Sequence, residues 1–387
     1  MRRFFKIFST LLGLGLMIGA IYIFGILVPG MDAKLNPVMP HAPYKITDEA
    51  QSLHNDLYIA DLHADSLLWR RNPLKRWDRG QVDLPRLREG GVEFQIFSAV
   101  TKSPRGLNFD GNDANAPDDI TLLVQAQLWP MRTWGSLYER AAFQAQRLQK
   151  IEADKANKLV IVRTASDMNQ PDGTLATLLL TEGSHPLEGK IENIERLFHE
   201  GYRAMALQHF FDNELGGSKH GRSQAGLSEF GRKAVLEMRR LGIIIDVAHS
   251  SDQTVRDVLT LIDAPVFISH GGTVSHCPRS SNRNLPDDIL KEIAARGGIL
   301  GVGYFDGAIC DISPKGIARA IIDAAALMGP NAVALGSDYD GSVATTLDTS
   351  ELAIITQELM QAGMDTTTIR KVMGENARAF FLANLPN

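Results

Sequence analysis

Short hydrophobic runs recur along the chain, and several of them stop at a histidine or a carboxylate. The runs at 57–63, 93–100, 175–182, 203–209, 242–249, 265–270, 298–304 and 332–338 have the length and apolar content of buried strands. Amphipathic segments lie between them. At 227–241 apolar residues keep helical spacing behind Ser228, a capping residue, and 251–262, 286–296 and 313–328 do likewise. Strand–helix alternation repeated about eight times predicts an α/β fold, a (β/α)8 TIM-type barrel. A doubly wound open sheet is the alternative, weakened because no Gly-x-Gly-x-x-Gly turn follows the first strand. The stretch 101–157 is too long for a simple strand-to-helix connection. It begins polar, turns helical after Asp118 and meets a helix breaker at Pro130. Because it leaves the C-terminal end of a strand, it is expected to wall or cover the active-site face, with peripheral decoration as the bland alternative.

The first thirty residues differ in kind. Arg2, Arg3 and Lys6 precede an apolar stretch with no further charge before Asp32. As a helix, 7–28 would span about 33 Å, enough to cross a bilayer core. A cleavable signal peptide would end in a small-residue site, which neither Ala20-Ile-Tyr nor 25–30 supplies. Residues 1–30 therefore read as an uncleaved transmembrane anchor whose partner is membrane lipid. Its basic end is expected in the cytoplasm, with the rest of the chain outside, periplasmic or extracellular. Residues 31–50 read as a Pro-rich spacer, and 51–387 as a single domain carrying the insertion.

Composition narrows the class. In 387 residues, 44% are hydrophobic and 22% charged, which fits a large globular core. A net charge of −5 offers no basic surface, so no nucleic-acid partner is expected. Cys277 and Cys310 fall in the loops after two successive strands, and such loops rise side by side on a barrel. They are expected to form a disulfide, which would persist in an oxidising compartment; two free thiols are the alternative.

The strand ends carry the chemistry. His63, Asp65, Glu182, His249, His270 and Asp338 all close hydrophobic runs. A barrel takes its catalytic groups from several strand ends on one face. Imidazoles with carboxylates suit Zn²⁺ or a similar divalent ion. A carboxylate can bridge two ions, and Glu182, on a strand between the other two groups, is the bridging candidate. On an extended strand His63 and Asp65 point to one side, with Asp61 a step behind. Simple hydrogen-bonded core histidines are the competing reading.

The ordered set Asp61-Leu-His-Ala-Asp65, Thr181-Glu-Gly-Ser-His185, Leu207-Gln-His209, Asp246-Val-Ala-His249, Ile268-Ser-His270, Ser281-Asn-Arg-Asn-Leu-Pro-Asp-Asp288 and Gly336-Ser-Asp-Tyr-Asp-Gly341 resembles the membrane dipeptidase (renal dipeptidase) family of zinc peptidases. The resemblance implies two Zn²⁺ per chain, one on His63 and Asp65, the other on His249 and His270, bridged by Glu182. It implies that Asp338 carries the proton of a metal-bridging water, that His209 polarises the scissile carbonyl, and that Arg283 grips the terminal carboxylate of a free dipeptide. Asp61 would orient a ligand from behind. A homodimer is compatible with it. Ala64 stands where the family often has Asn, and the insertion is long; both bear on which dipeptide is taken. Another binuclear barrel hydrolase, for lactones, phosphoesters or N-acyl amino acids, is the first rival, although many of those bridge with a carbamylated Lys that no strand end here supplies. A non-catalytic binding protein on the same fold is the second. His41, His54 and His199 read as structural. His185, His220 and His276 sit in loops near the site, and Asp340 reads as a turn-former in Asp-Gly.

Overall fold

The protein is described here by a computed structural model covering residues 2–387. Its strands are β1 (Ile59–Ala64), β2 (Val92–Val100), β3 (Leu159–Ile161), β4 (Leu175–Glu182), β5 (Tyr202–Ala206), β6 (Ile244–Asp246), β7 (Phe267–Gly271), β8 (Ile299–Val302) and β9 (Val333–Leu335). They pair in parallel in the order β2-β1-β9-β8-β7-β6-β5-β4, and β2 pairs with β4 to close an eight-stranded ring. This is the (β/α)8 barrel that the alternation predicts. β3 stands outside the ring, where Leu159 to Ile161 pair with Leu175 to Thr177 at the start of β4. Further along the same edge of β4, β5 takes over at Leu179 and Tyr202. Three residues are too few to show a period, so the hydrophobic pattern does not reveal β3.

Helices sheath the ring. Ser228 caps Glu229–Leu241 by accepting from the Gly231 N–H, and Ser251 and Ser313 do the same for Asp252–Leu261 and Pro314–Met328. The barrel interior is apolar at its lower end, with Phe94, Ile96, Leu178, Leu180 and Phe267. The C-terminal helix Asn376–Asn384 plugs that end, Phe381 lying 5.2 Å from Phe94 and 5.5 Å from Phe267. With the lower end sealed by hydrocarbon, polar chemistry is left to the C-terminal ends of the strands.

The insertion folds as Asp119–Ala126, Arg132–Gly135 and Leu137–Glu152, with Pro130 between the first two. Leu123, Val124 and Trp129 pack on Leu68, Trp69 and Val100. Buried Arg140 ties its base together by donating to the Thr101 carbonyl (2.7 Å) and to Asp118 (2.6 Å).

The N-terminal residues form one helical run, Arg2–Tyr22, Ile23–Leu27 and Val28–Leu35, long and apolar enough to cross a membrane. Phe4, Ile7, Leu11 and Ile18 are exposed along it. The stretch read as a Pro-rich spacer, 31–50, makes contacts with the domain. Asp32 and Asn36 are buried against the barrel, Val38 bridges to Thr345, and Asp48–Asn55 is already a helix of the domain. Prolines stiffen this stretch, but its polar side chains find partners on the domain surface, and those partners outweigh chain freedom.

Candidate active site

β1, β4 and β7 bring their final residues to one polar centre, joined by the loops after β5, β6 and β9. Glu182 closes β4, and its Oε1 lies 3.5 Å from His63 Nε2, 3.3 Å from His249 Nε2 and 3.5 Å from His270 Nε2. Its Oε2 lies 3.5 Å from His209 Nε2. Asp65 Oδ1 is 3.5 Å and Asp338 Oδ1 3.8 Å from His63 Nε2. Every one of these side chains is buried. Simple strand alternation does not by itself place Asp65. The β1–β2 register slips between Asp61 and Ala64, and Asp65 leaves the strand at φ −95°, ψ 24°. That turn brings its carboxylate back to His63.

The donor chemistry fits divalent cations. Ligand atoms of His63, Glu182, His270 and Asp338 lie within 4.8 Å of one another, and so do those of Glu182, His209 and His249. Glu182 belongs to both groups, as a bridge must. The grouping otherwise cuts across the pairing that the family resemblance implies, because His270 sits with His63 while His209 joins His249. Buried His63 Nε2 and Asp65 Oδ1 have no hydrogen-bond partner, and His249 Nε2 faces His270 Nε2 at 2.9 Å. Depending on the tautomer, the two nitrogens share one hydrogen or, both as acceptors, converge on a point that a cation would satisfy.

Electrostatics point the same way. Burial holds His249 and His270 well below the ordinary histidine pKa, helped by Arg283, so their lone pairs are free. Burial, then Asp65, pushes Glu182 well above the usual carboxylate range. Burial also raises Asp338, with Glu182 and Asp65 adding to it while His63 and Arg283 oppose. Carboxylates crowded in a dry pocket repel, and positive charge between them relieves that repulsion.

Three groups support the centre from behind, and of these only Asp61 is expected from the sequence. The Ser269 hydroxyl lies 3.1 Å from His63 Nδ1 and 2.9 Å from His270 Nδ1, linking the two rings from behind. Asp246 Oδ1 accepts from the N–H groups of Ala248 and Ser269, fixing the ends of β6 and β7. Asp61 holds backbone rather than a ring, accepting from the N–H of His63 and of Ser337, both at 3.0 Å. For Ser269, the small residue beside a candidate ligand in Ser269-His270 is the sequence signal.

His209 Nδ1 lies 3.1 Å from the Lys102 carbonyl. A carbonyl only accepts, so Nδ1 carries the hydrogen, and Nε2 of the neutral ring presents a lone pair. Burial lowers the His209 pKa to about 4, which keeps the free ring neutral. Polarising a carbonyl, the role implied for it, therefore requires His209 to take up a proton. Arg283 is buried, and burial lowers its pKa too. Its Nη2 donates to the His270 carbonyl at 3.4 Å, Phe305 lies 5.5 Å away, and among the described residues no carboxylate pairs with it.

A cavity of about 250 Å³ opens onto Asp65, Glu182, His209, His249, Arg283 and Asp338. Its apolar wall includes Leu68, Val100 and Phe305, with Leu107, Phe109 and Ile120 from the insertion. The remaining histidines divide. His220 stacks on Phe210 at 4.6 Å behind His249, and His185 packs against Phe211. His276 turns away to Asp323 (2.8 Å), and His54 is held by Thr356 and Gly90. The structure joins Cys277 to Cys310 as a disulfide with Cα atoms 5.6 Å apart.

Residues 47–381 match the membrane dipeptidase family, peptidase family M19. The chain is 30% identical over 349 residues to dipeptidase aclJ of Aspergillus oryzae, covering 82% of this chain and 76% of that one. Its fold is similar to that of dipeptidase AC, a metallopeptidase of family M19, with a TM-score of 0.69 and 24% identity over 85% of this chain and 98% of that one. It is likewise similar to the probable dipeptidase PvdM of Pseudomonas aeruginosa, with a TM-score of 0.72 and 18% identity over 87% and 97% of the two chains.

Proposed function

The chain belongs to the membrane dipeptidase family of metallopeptidases, and from that premise we propose that it is a binuclear zinc dipeptidase acting on free dipeptides. We propose further that residues 1–30 anchor it in a membrane and that its catalytic domain faces the extracytoplasmic side. One observation carries the substrate reading. Arg283 is a buried guanidinium that, among the described residues, pairs with no carboxylate, and it shares a cavity with Glu182 and Asp338.

His63, Asp65, His249 and His270, with Glu182 between them, would hold the two Zn²⁺ ions. Bound there, such ions supply Lewis acidity, acidifying water and polarising a carbonyl oxygen. The chain's own groups then divide the work. Arg283 receives the substrate's terminal carboxylate in a charge-assisted pair, which the planar fork suits. That contact sets the scissile carbonyl one residue from the carboxylate, so the site reads the length of a dipeptide. Asp338 Oδ1 takes a proton from the attacking water and returns it to the leaving amine. His209 stabilises the developing oxyanion in its protonated form, which the Lys102 carbonyl and Asp65 favour against burial. The apolar wall of Leu68, Val100 and Phe305 keeps water from the reacting bond.

A dipeptide and its C-terminal amide test the reading. Hydrolysis of the free dipeptide with at least tenfold loss for the amide supports it. Equal rates on the two would show that Arg283 reads something other than a terminal carboxylate.

A further inference from the structure

The N-terminal helix does not hand over to a loose tether. Asp32, in its last turns, is 3% exposed. Its Oδ2 accepts from Arg71 Nε at 2.9 Å and Arg79 Nε at 3.2 Å, and its Oδ1 from Asn36 Nδ2 at 3.0 Å. Arg71, itself buried, pairs through Nη2 with Asp340 at 2.7 Å. Its guanidinium carbon lies 2.3 Å from where a Cβ on Gly80 would stand, so Gly80, at φ +70°, is shaped around that ion pair. Arg147 donates to the carbonyls of Trp69 and Arg71, fixing the stretch that carries the guanidinium.

Asp340 is more than the turn-former its Asp-Gly context suggests. It is fully buried. It accepts from the Gln81 N–H (2.8 Å) and from Ser66 Oγ (2.6 Å), its own N–H donates to Gln81 Oε1, and its carbonyl accepts from Trp69 Nε1. Asn36 Oδ1 accepts from the Ser342 N–H at 2.9 Å. These contacts hold a loop with an unusual backbone, since Asp338, Asp340 and Ser342 all take left-handed conformations, at φ 63°, 62° and 63°. Non-glycine residues stay in that region only where their surroundings over-determine them.

We infer that Asp32, at the end of the membrane-type helix, is a positioning residue for Asp338. Through Arg71 and Asp340, and with Asn36 on Ser342, the end of the anchor fixes the backbone of the loop that presents the proton carrier. The inference rests on the reading of Asp338 given above. In kinetic terms the juxtamembrane turn is part of the active site although it touches no substrate, and a shift of about 1 Å at a reacting group can cost on the order of a hundredfold.

The test uses the full chain in detergent, with Asp32→Asn, which keeps shape and removes charge, Asp32→Glu, and Asn36→Ala as a milder cut should Asp32→Asn fail to fold. Asp32→Asn is expected to lower kcat on a dipeptide by about 10–100-fold with KM within about twofold, Asp32→Glu to recover part of the loss, and Asn36→Ala to show a smaller fall of the same kind. Hydrogen exchange of the 336–345 amides should quicken in Asp32→Asn and Asn36→Ala whether or not a substrate is known. Variants with wild-type kcat, or with a lowered Tm alone, overturn the inference, as does unchanged exchange in that loop. A wild-type chain inactive on dipeptides would instead count against the function proposed above, and the exchange comparison would still decide this one.

Discussion

Arg283 and Asp338 show how single residues divide recognition from chemistry. A buried guanidinium left without a partner is costly, and the cavity supplies the place where a substrate carboxylate would compensate it. A hydrogen bond to a charged group contributes about 1.5–3 kcal/mol. Arg283→Ala should therefore lower kcat/KM for free dipeptides by about 10–150-fold, and steady-state kinetics on a dipeptide series checks it. Asp338 sits at φ 63°, a conformation that Asn tolerates as well as Asp. Asp338→Asn should keep the backbone and bound metal yet lose proton transfer, for a fall in kcat of about 10²–10⁴-fold. Wild-type kcat in that variant, with metal content unchanged, would move the proton carrier elsewhere. The side chains proposed to bind metal stand out in the sequence because each closes a hydrophobic run. Ser269 and Asp340 do not, because a hydroxyl between two rings and a buried ion pair with Arg71 depend on contacts across the fold.

Among the elements, the ring strands were legible for the same reason as the ligands, since a buried strand needs an unbroken apolar run. β3 escaped because it borrows only the first residues of β4. The join between the N-terminal helix and the barrel escaped because its proline content suggests a tether, while the buried carboxylate of Asp32 that docks it pairs with residues far along the chain. The helix Asp48–Asn55 gives a pH-dependent element. His54 Nδ1 meets Thr356 Oγ1 at 2.8 Å and its Nε2 meets the Gly90 carbonyl at 3.2 Å. Burial lowers its pKa, against the opposing pull of that carbonyl. Above the unfolded value of about 6.5 both states are neutral. As pH falls below that value the unfolded chain binds a proton that folded His54 refuses, so stability falls. Denaturant unfolding of wild type and His54→Gln between pH 7.5 and 5.5 should show the smaller loss in the variant. Equal losses would assign the pH dependence to other groups.

For the whole molecule, the barrel, its apolar plug and its polar upper face make one arrangement. Hydrocarbon seals the N-terminal ends of the strands, while imidazoles and carboxylates crowd the other end around Glu182. Crowding of that kind is relieved by protons or by positive charge among the carboxylates, and Glu182 belongs to both clusters of ligand atoms. The most direct measurement is therefore a metal titration. The full chain is stripped by chelator, Zn²⁺ is added back stepwise, and both bound metal and hydrolysis of a free dipeptide are followed. Activity should be absent in the stripped protein and should reach its plateau at two ions per chain. A plateau at one ion, or full activity in metal-free protein, would contradict a binuclear centre built on Glu182.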